Sequence, residues 1–130
     1  MTDEERKIEE QIRQMLEGTV FSDSREKYYI LVDEQVQVVD MPRWAAWFEV
    51  HDADRVIRYS VLREDVHIST VFLSLDHNYS LHGPPILFET MVFGGLLDQE
   101  TRRYRTIEEA KAGHAAMVER VQRAERGESI

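Results

Sequence analysis

Apolar residues recur along this chain first at helical and then at alternating spacing, and the change of period marks out its elements. In residues 3–17, Ile8, Ile12, Met15 and Leu16 fall at i, i+4, i+7 and i+8. That is one stripe of an amphipathic helix with a charged opposite face, expected to lie on a surface. Thr2 is placed to cap it, and Asp3, Glu4 and Glu5 sit where the helix dipole favours anions. Gly18 is a natural stop, and residues 1–24 read as this helix with a linker. Tyr28 to Val32 and Gln35 to Val39 read as two strands joined by a turn at Asp33-Glu34, a pair without the glycine that type I′ turns favour. Asp40 offers an N-cap and Pro42 a first-turn residue for a short helix through about Phe48. Trp44, Trp47 and Phe48 share one side of it and are read as core rather than as a ligand box.

Three further strands follow. Arg55 to Leu62 alternates, with Ile57, Tyr59 and Val61 expected on one face. After a polar turn at Arg63-Glu64-Asp65, Val66 to Ser74 is the most apolar strand. Val66, Ile68, Thr70 and Phe72 lie on one face, and Val71 and Leu73 on the other. Apolar residues on both sides predict a central strand with both faces at least partly covered. A loop from Asp76 to Pro85 leads to a strand from Ile86 to Phe93, ended by Gly94-Gly95, and a short extended piece is expected near Arg102 to Tyr104. Thr106-Ile107-Glu108-Glu109 matches a capping box for the last helix. Ala110, His114, Met117, Val118 and Val121 form its inward stripe, and Gly113 beside them would allow close approach to a sheet. Residues 125–130 read as a charged, frayed tail. Consecutive strands with short turns predict an α+β fold: a mostly antiparallel sheet of four to six strands, helices on one face, and helices at both ends.

Composition narrows the class. A length of 130 residues with 42% hydrophobic positions suits a single α+β domain, 1–130, needing neither metal nor disulfide to fold. There is no cysteine, hence no disulfide framework or thiolate chemistry, which fits a reducing cytoplasm. The charged N-terminus does not read as a secretory signal, and no apolar run reaches the ~18 residues of a membrane span. Acidic residues outnumber basic ones 25 to 16, a formal charge of −9, so direct nucleic-acid binding is not expected. The one basic cluster, Arg102, Arg103 and Arg105, is read as a solvated strand end. The acidity is read as ordinary solubility, with occupation of a basic surface on another protein as the sharper version.

The strings Ser69-Thr70-Val71-Phe72-Leu73-Ser74-Leu75-Asp76-His77 and Gly83-Pro84-Pro85-Ile86-Leu87-Phe88-Glu89-Thr90-Met91-Val92-Phe93-Gly94-Gly95 carry a resemblance. So do Arg103-Tyr104-Arg105-Thr106, Glu109-Ala110 and Gly113-His114. Together they resemble a signature of small proteins of phages and bacterial prophages, over roughly residues 28–121 and most strongly 66–95. The resemblance implies an accessory role in a phage or prophage, acting in the host cytoplasm, and supplies no catalytic list. The chain departs from that signature at Ser74, where a glycine is usual, and in the composition of Asn78 to His82.

No P-loop, G-x-G-x-x-G, H-E-x-x-H or G-x-S-x-G string occurs, and no cofactor is implied. Candidate site residues are Asp76, His77, Asn78 and His82 around one loop, and Glu89 with His114. A carboxylate beside an imidazole suits acid–base work. Neighbours on an extended chain point opposite ways, however, so the favoured reading has Asp76 capping the turn and His77 bonding a carbonyl. Glu89, mid-strand, and His114, on an apolar stripe, are expected to satisfy each other, as a buried tether or as part of a pocket. His67, His77, His82 and Asp76 are near one another only in sequence, and no metal site is expected. The leading expectation is a non-enzymatic accessory or binding protein acting on a host or phage macromolecule, an inhibitor of a host factor being one version. The alternative is a small ligand-binding or enzymatic domain using the Asp76–Pro85 loop, with Trp44 or Trp47 as a wall. A third is a dimerisation module that buries the second sheet face against another copy. A deep pocket in which Asp76, His77 or Glu89 converge would favour the alternative, and an exposed sheet would favour protein binding.

Overall fold

Helix α1, Asp3–Met15, starts where Thr2 and Glu5 form a reciprocal capping box. In the computed structural model, which describes residues 1–17, 27–80 and 82–129, the chain divides into two compact units. One comprises Met1–Asp54 with Ser74–Asp76, the other Arg55–Leu73 with His77–Ile130. The expected stop at Gly18 and the linker to residue 24 fall largely outside the described residues.

In the first unit, β1 (Tyr28–Val32) and β2 (Gln35–Val39) form an antiparallel hairpin, with Tyr28 opposite Val39 and Val32 opposite Gln35. Asp33 and Glu34 sit at φ 50° and 64°. Two successive left-handed residues are what a type I′ hairpin demands, so the turn forms where expected although neither residue is glycine. Asp40 then caps α2 (Met41–His51) by accepting the Arg43 N–H at 3.1 Å, with Pro42 in the first turn. The helix runs three residues past the expected end. Trp47 is buried core, as expected, whereas Trp44, which packs between Tyr28 and Phe48 at ring distances of 5.3 Å, and Phe48 are only partly buried. Helix α1 packs on α2. Ile8, Ile12 and Leu16 are half-buried and Met15 is 82% exposed, whereas Glu5 is the buried residue of the helix. The reason is pairing: Glu5 meets Arg43 and His51 of α2.

After a short 3-10 turn, Asp52–Arg55, the second unit begins. Strands β3 (Val56–Arg63), β4 (Val66–Phe72), β5 (Phe88–Phe93) and β6 (Thr101–Tyr104) form an antiparallel sheet in sequence order. Helix α3, Ile107–Glu125, crosses one face. On β4, Val66, Ile68, Thr70 and Phe72 are all buried, as the alternation predicts. Val66, Ile68 and Val92 close a core with Met117 and Val121 of α3. Ala110, His114, Met117 and Val121 are buried as expected, joined by Ile107 and Ala124. Thr106 caps α3, but its hydroxyl also donates to the Glu109 carboxylate at 3.0 Å. Glu109 therefore serves the Thr106 side chain rather than the expected backbone N–H.

Two departures alter which residues face where. Register shifts between Val56 and Arg58 and between Val61 and Arg63 kink β3. Tyr59 and Val61 share one face as expected and are 55% and 58% exposed, while Ile57, Ser60 and Leu62 are partly buried. A bulge resets alternation, which an unbroken period of two cannot anticipate. Strand β5 begins at Phe88 rather than Ile86. Gly113 does permit close approach: a Cβ there would lie 2.2 Å from the Tyr104 ring.

Candidate functional site

Five of the six candidate residues, His77, Asn78, His82, Glu89 and His114, lie in the second unit, and Asp76 in the first. In the first unit, Ser74 precedes Asp76 at φ 63°, the left-handed region that glycine adopts freely. Its carbonyl accepts the Tyr29 N–H at 3.1 Å, and Leu75 bridges Tyr28. The Ser74 side chain is buried, with no hydrogen-bond partner for Oγ among the described residues. Burial and the Asp76 charge raise the Tyr29 pKa.

The rest of the loop is organised by Asn78. Its Nδ2 donates to the carbonyls of His82 (2.5 Å) and Pro84 (3.1 Å), and its Oδ1 accepts from the N–H (3.2 Å) and hydroxyl (2.5 Å) of Ser80. Arg105 Nε donates to the Pro84 carbonyl at 3.0 Å. The neck closes through His77 N–H to the Ile86 carbonyl at 2.9 Å. The carbonyl bond foreseen for His77 thus comes from its backbone, while its ring lies 5.9 Å from that of Tyr79. His82 is exposed. Asn78 spends its amide on the loop itself, an architectural use.

The expected Glu89–His114 contact does not form. Glu89 lies opposite Val71 and Arg103, on the sheet face away from α3, and bonds Arg103 Nε at 2.9 Å. His114 is 5% exposed beneath α3. Its Nε2 lies 2.8 Å from Ser60 Oγ and its Nδ1 2.7 Å from Thr70 Oγ1, which is 2.5 Å from Thr90 Oγ1. Burial, reinforced by the Arg58 charge, lowers the His114 pKa, so the ring is held neutral. One nitrogen then donates and the other accepts, and the hydroxyls rotate to match. The arrangement places Ser60 on an imidazole, but the far nitrogen meets a threonine hydroxyl, which offers a developing imidazolium no countercharge. Its chemistry is that of a satisfied polar core. Sequence reasoning missed Ser60, Thr70 and Thr90 here, although Thr70 sits on the most apolar strand face, where a hydroxyl requires a partner.

The face opposite α3 has a different character. Its cross-strand rows are Val61, His67 and Phe93; Tyr59, Ser69, Met91 and Thr101; and Val56, Val71, Glu89 and Arg103. Val56, Tyr59, Val61 and Phe93 are between 46% and 58% exposed, which leaves several large apolar side chains in water on one surface. Its one carboxylate and one guanidinium neutralise each other. The Tyr59 hydroxyl bonds His67 Nδ1, whose other nitrogen lies 2.9 Å from the Glu64 carbonyl.

Depressions indent the second unit at two places among the described residues. One of 260 Å³ is lined by Leu62, Arg63, Val66, Gln122, Glu125 and Arg126. The other, of 240 Å³, lies among Arg102, Tyr104, Gly113, Ala116, Met117 and Arg120. Both are below the ~300–1,000 Å³ of typical ligand sites, and neither includes a candidate residue. Among the described residues no group of three or more His, Asp or Glu side chains is placed to hold a metal ion, and no helix is long and apolar enough to cross a membrane. No protein-family model, curated protein or solved structure matches the chain.

Proposed function

We propose that this is a non-enzymatic binding protein, an accessory of the phage or prophage kind that its signature strings resemble. On this reading it acts on a host or phage protein in the cytoplasm and meets it through the open face of the four-stranded sheet. The observation that carries the reading is the exposure of Val56, Tyr59, Val61 and Phe93 on a surface where Glu89 and Arg103 compensate each other. The largest apolar patch on a protein surface is often its functional one. Covering it at ~25 cal/mol per Å² yields on the order of 5–10 kcal/mol before association costs. A stable complex buries about 800 Å² per partner, so the partner reaches beyond this patch. The alternative of a ligand-binding or enzymatic domain draws no comparable support from the two depressions described above, neither of which is lined by the loop residues.

The test is affinity capture from host cells with the wild-type chain and a Tyr59→Asp/Val61→Asp variant whose circular dichroism matches it. The reading expects a protein captured by the first and lost from the second. Equal capture by both counts against the sheet face, and a co-purifying small molecule would favour the alternative.

A further inference from the structure

The first unit contains a device that neither the loop nor the sheet explains. Helix α1 has 13 residues, too few for an isolated helix to hold its shape in water. Its stability must come from docking, yet its one fully buried side chain is a carboxylate. Glu5 Oε2 accepts from Arg43, and Glu5 Oε1 lies 3.0 Å from His51 Nε2 and 3.3 Å from the Thr2 N–H. The other imidazole nitrogen, Nδ1, lies 2.7 Å from Asp54 Oδ2. The Trp47 indole stacks on the ring at 5.7 Å. At the far end of α1, Arg13 bridges Glu9 at 2.7 Å and Asp40 at 2.6 Å, a second tether that involves no imidazole.

Both nitrogens of His51 thus face carboxylate oxygens. A neutral imidazole has one N–H and one lone pair, so it can satisfy only one of the two. The other contact then sets a lone pair against an acceptor. Protonated, the ring donates at both ends and joins α1 to the 3-10 turn.

We propose that α1 is a strap whose grip on α2 is set by the protonation of His51, tight when the ring is charged and loosened when it is neutral. Facing the imidazole are Glu5 from α1, Asp54 from the 3-10 turn and Trp47 from α2, while Arg43 neutralises the second Glu5 oxygen. Burial disfavours the charged ring, but the hydrogen bonds to Asp54 and Glu5 outweigh it and raise the pKa above the usual 6.5, which brings the switch toward physiological pH. The sign follows: grip is full below 6.5 and declines as pH rises through the folded-state value. Arg43 keeps Glu5 charged throughout, so release is partial and centres on the N-terminal half of the helix.

Hydrogen exchange of residues 3–17 of the full chain, corrected for intrinsic rates, tests this. Protection should fall about fivefold to tenfold between pH 6 and pH 8.5, the order expected when one hydrogen bond to a charged group is lost, while protection of α3 does not fall. His51→Gln, which has one donor and one acceptor whatever the pH, should remove the step. Asp54→Asn, at a side chain that is mostly exposed, should lower its midpoint by withdrawing one countercharge. Equal protection at the two pH values would overturn the proposal. So would the same step in His51→Gln, an unmoved midpoint in Asp54→Asn, or a fall shared by every element.

Discussion

Thr70→Val probes the buried polar line beneath α3. The two side chains are nearly isosteric, so the change removes a hydroxyl and little volume. Thr70 is fully buried, and its Oγ1 contacts both Thr90 Oγ1 and His114 Nδ1. Valine leaves two polar atoms facing a methyl group where water does not reach. An unmet buried polar atom costs about 1–3 kcal/mol, and the added methyl group returns roughly 0.8 kcal/mol. The net expectation is a loss of about 2–4 kcal/mol in urea unfolding followed by α3 helicity. Thr70→Ser, which keeps the hydroxyl, should lose only about 1 kcal/mol. Thr70→Val/Thr90→Val should cost less than the two single changes added together, because the second substitution removes an atom the first has orphaned. A Thr70→Val chain within about 0.5 kcal/mol of wild type would refute the claim that these hydroxyls hold the helix to the sheet. Strict additivity would refute the claim that they act as one line.

Other expectations are more local. Met117→Asp should destabilise the second unit by about 2–5 kcal/mol, since it removes apolar burial and places a charge in the Val66–Ile68–Val92 core; urea unfolding measures it. Ser74→Gly should stabilise by about 1 kcal/mol, because it relieves a left-handed φ of 63° and removes an unpartnered buried hydroxyl; a lower melting temperature would contradict this. Acid should weaken the two units through different groups. Burial would raise the Glu5 pKa, but bonds from His51, Arg43 and the Thr2 N–H hold it at about 2. Its contribution is therefore complete above 4.5 and lost between 4.5 and about 2, worth about 3 kcal/mol at most. His114, lowered by burial and Arg58, contributes fully above 6.5 and loses that contribution as pH falls below it. Hydrogen exchange across pH 3–7 should show α3 weakening first and α1 only below 4.5. Sedimentation at tens of micromolar should show a species heavier than the 15.3 kDa chain if the open sheet face pairs with a second copy, and Tyr59→Asp should abolish it.

Legibility followed the kind of signal. Period and capping residues carried the α+β class and the positions of the strands and capped helices, because alternation and the 3.6 repeat record burial directly. Val66, Ile68, Thr70 and Phe72 are the clearest case. Where one residue interrupts the period, as beside Ile57 in β3, the alternation breaks, and Ile57 is partly buried while Tyr59 and Val61 are exposed. Buried polar contacts were harder to read. Glu5 looks like any first-turn acid, and the sign of its burial was the Thr2–Glu5 capping spacing together with the arginine and histidine of α2. His114 did announce a need for partners, but mid-strand Glu89 looked more demanding than threonine, and only the sheet registration shows that Glu89 faces the other way. The Asp76–Pro85 loop supplied the right residues for a site, and Asn78 uses its own amide to hold the loop together.

The meeting of Gly113 with Tyr104 restricts how this chain can change over time. Because a β-carbon at 113 would fall 2.2 Å from the ring, alanine there is obstructed while the tyrosine stays in place. If position 104 first acquires a small side chain, alanine at 113 becomes admissible and even favoured by helix propensity. The reverse order passes through a strained intermediate. Two positions nine residues apart are thus bound into one history, in which a side chain at 113 requires the Tyr104 ring to shift or to be replaced.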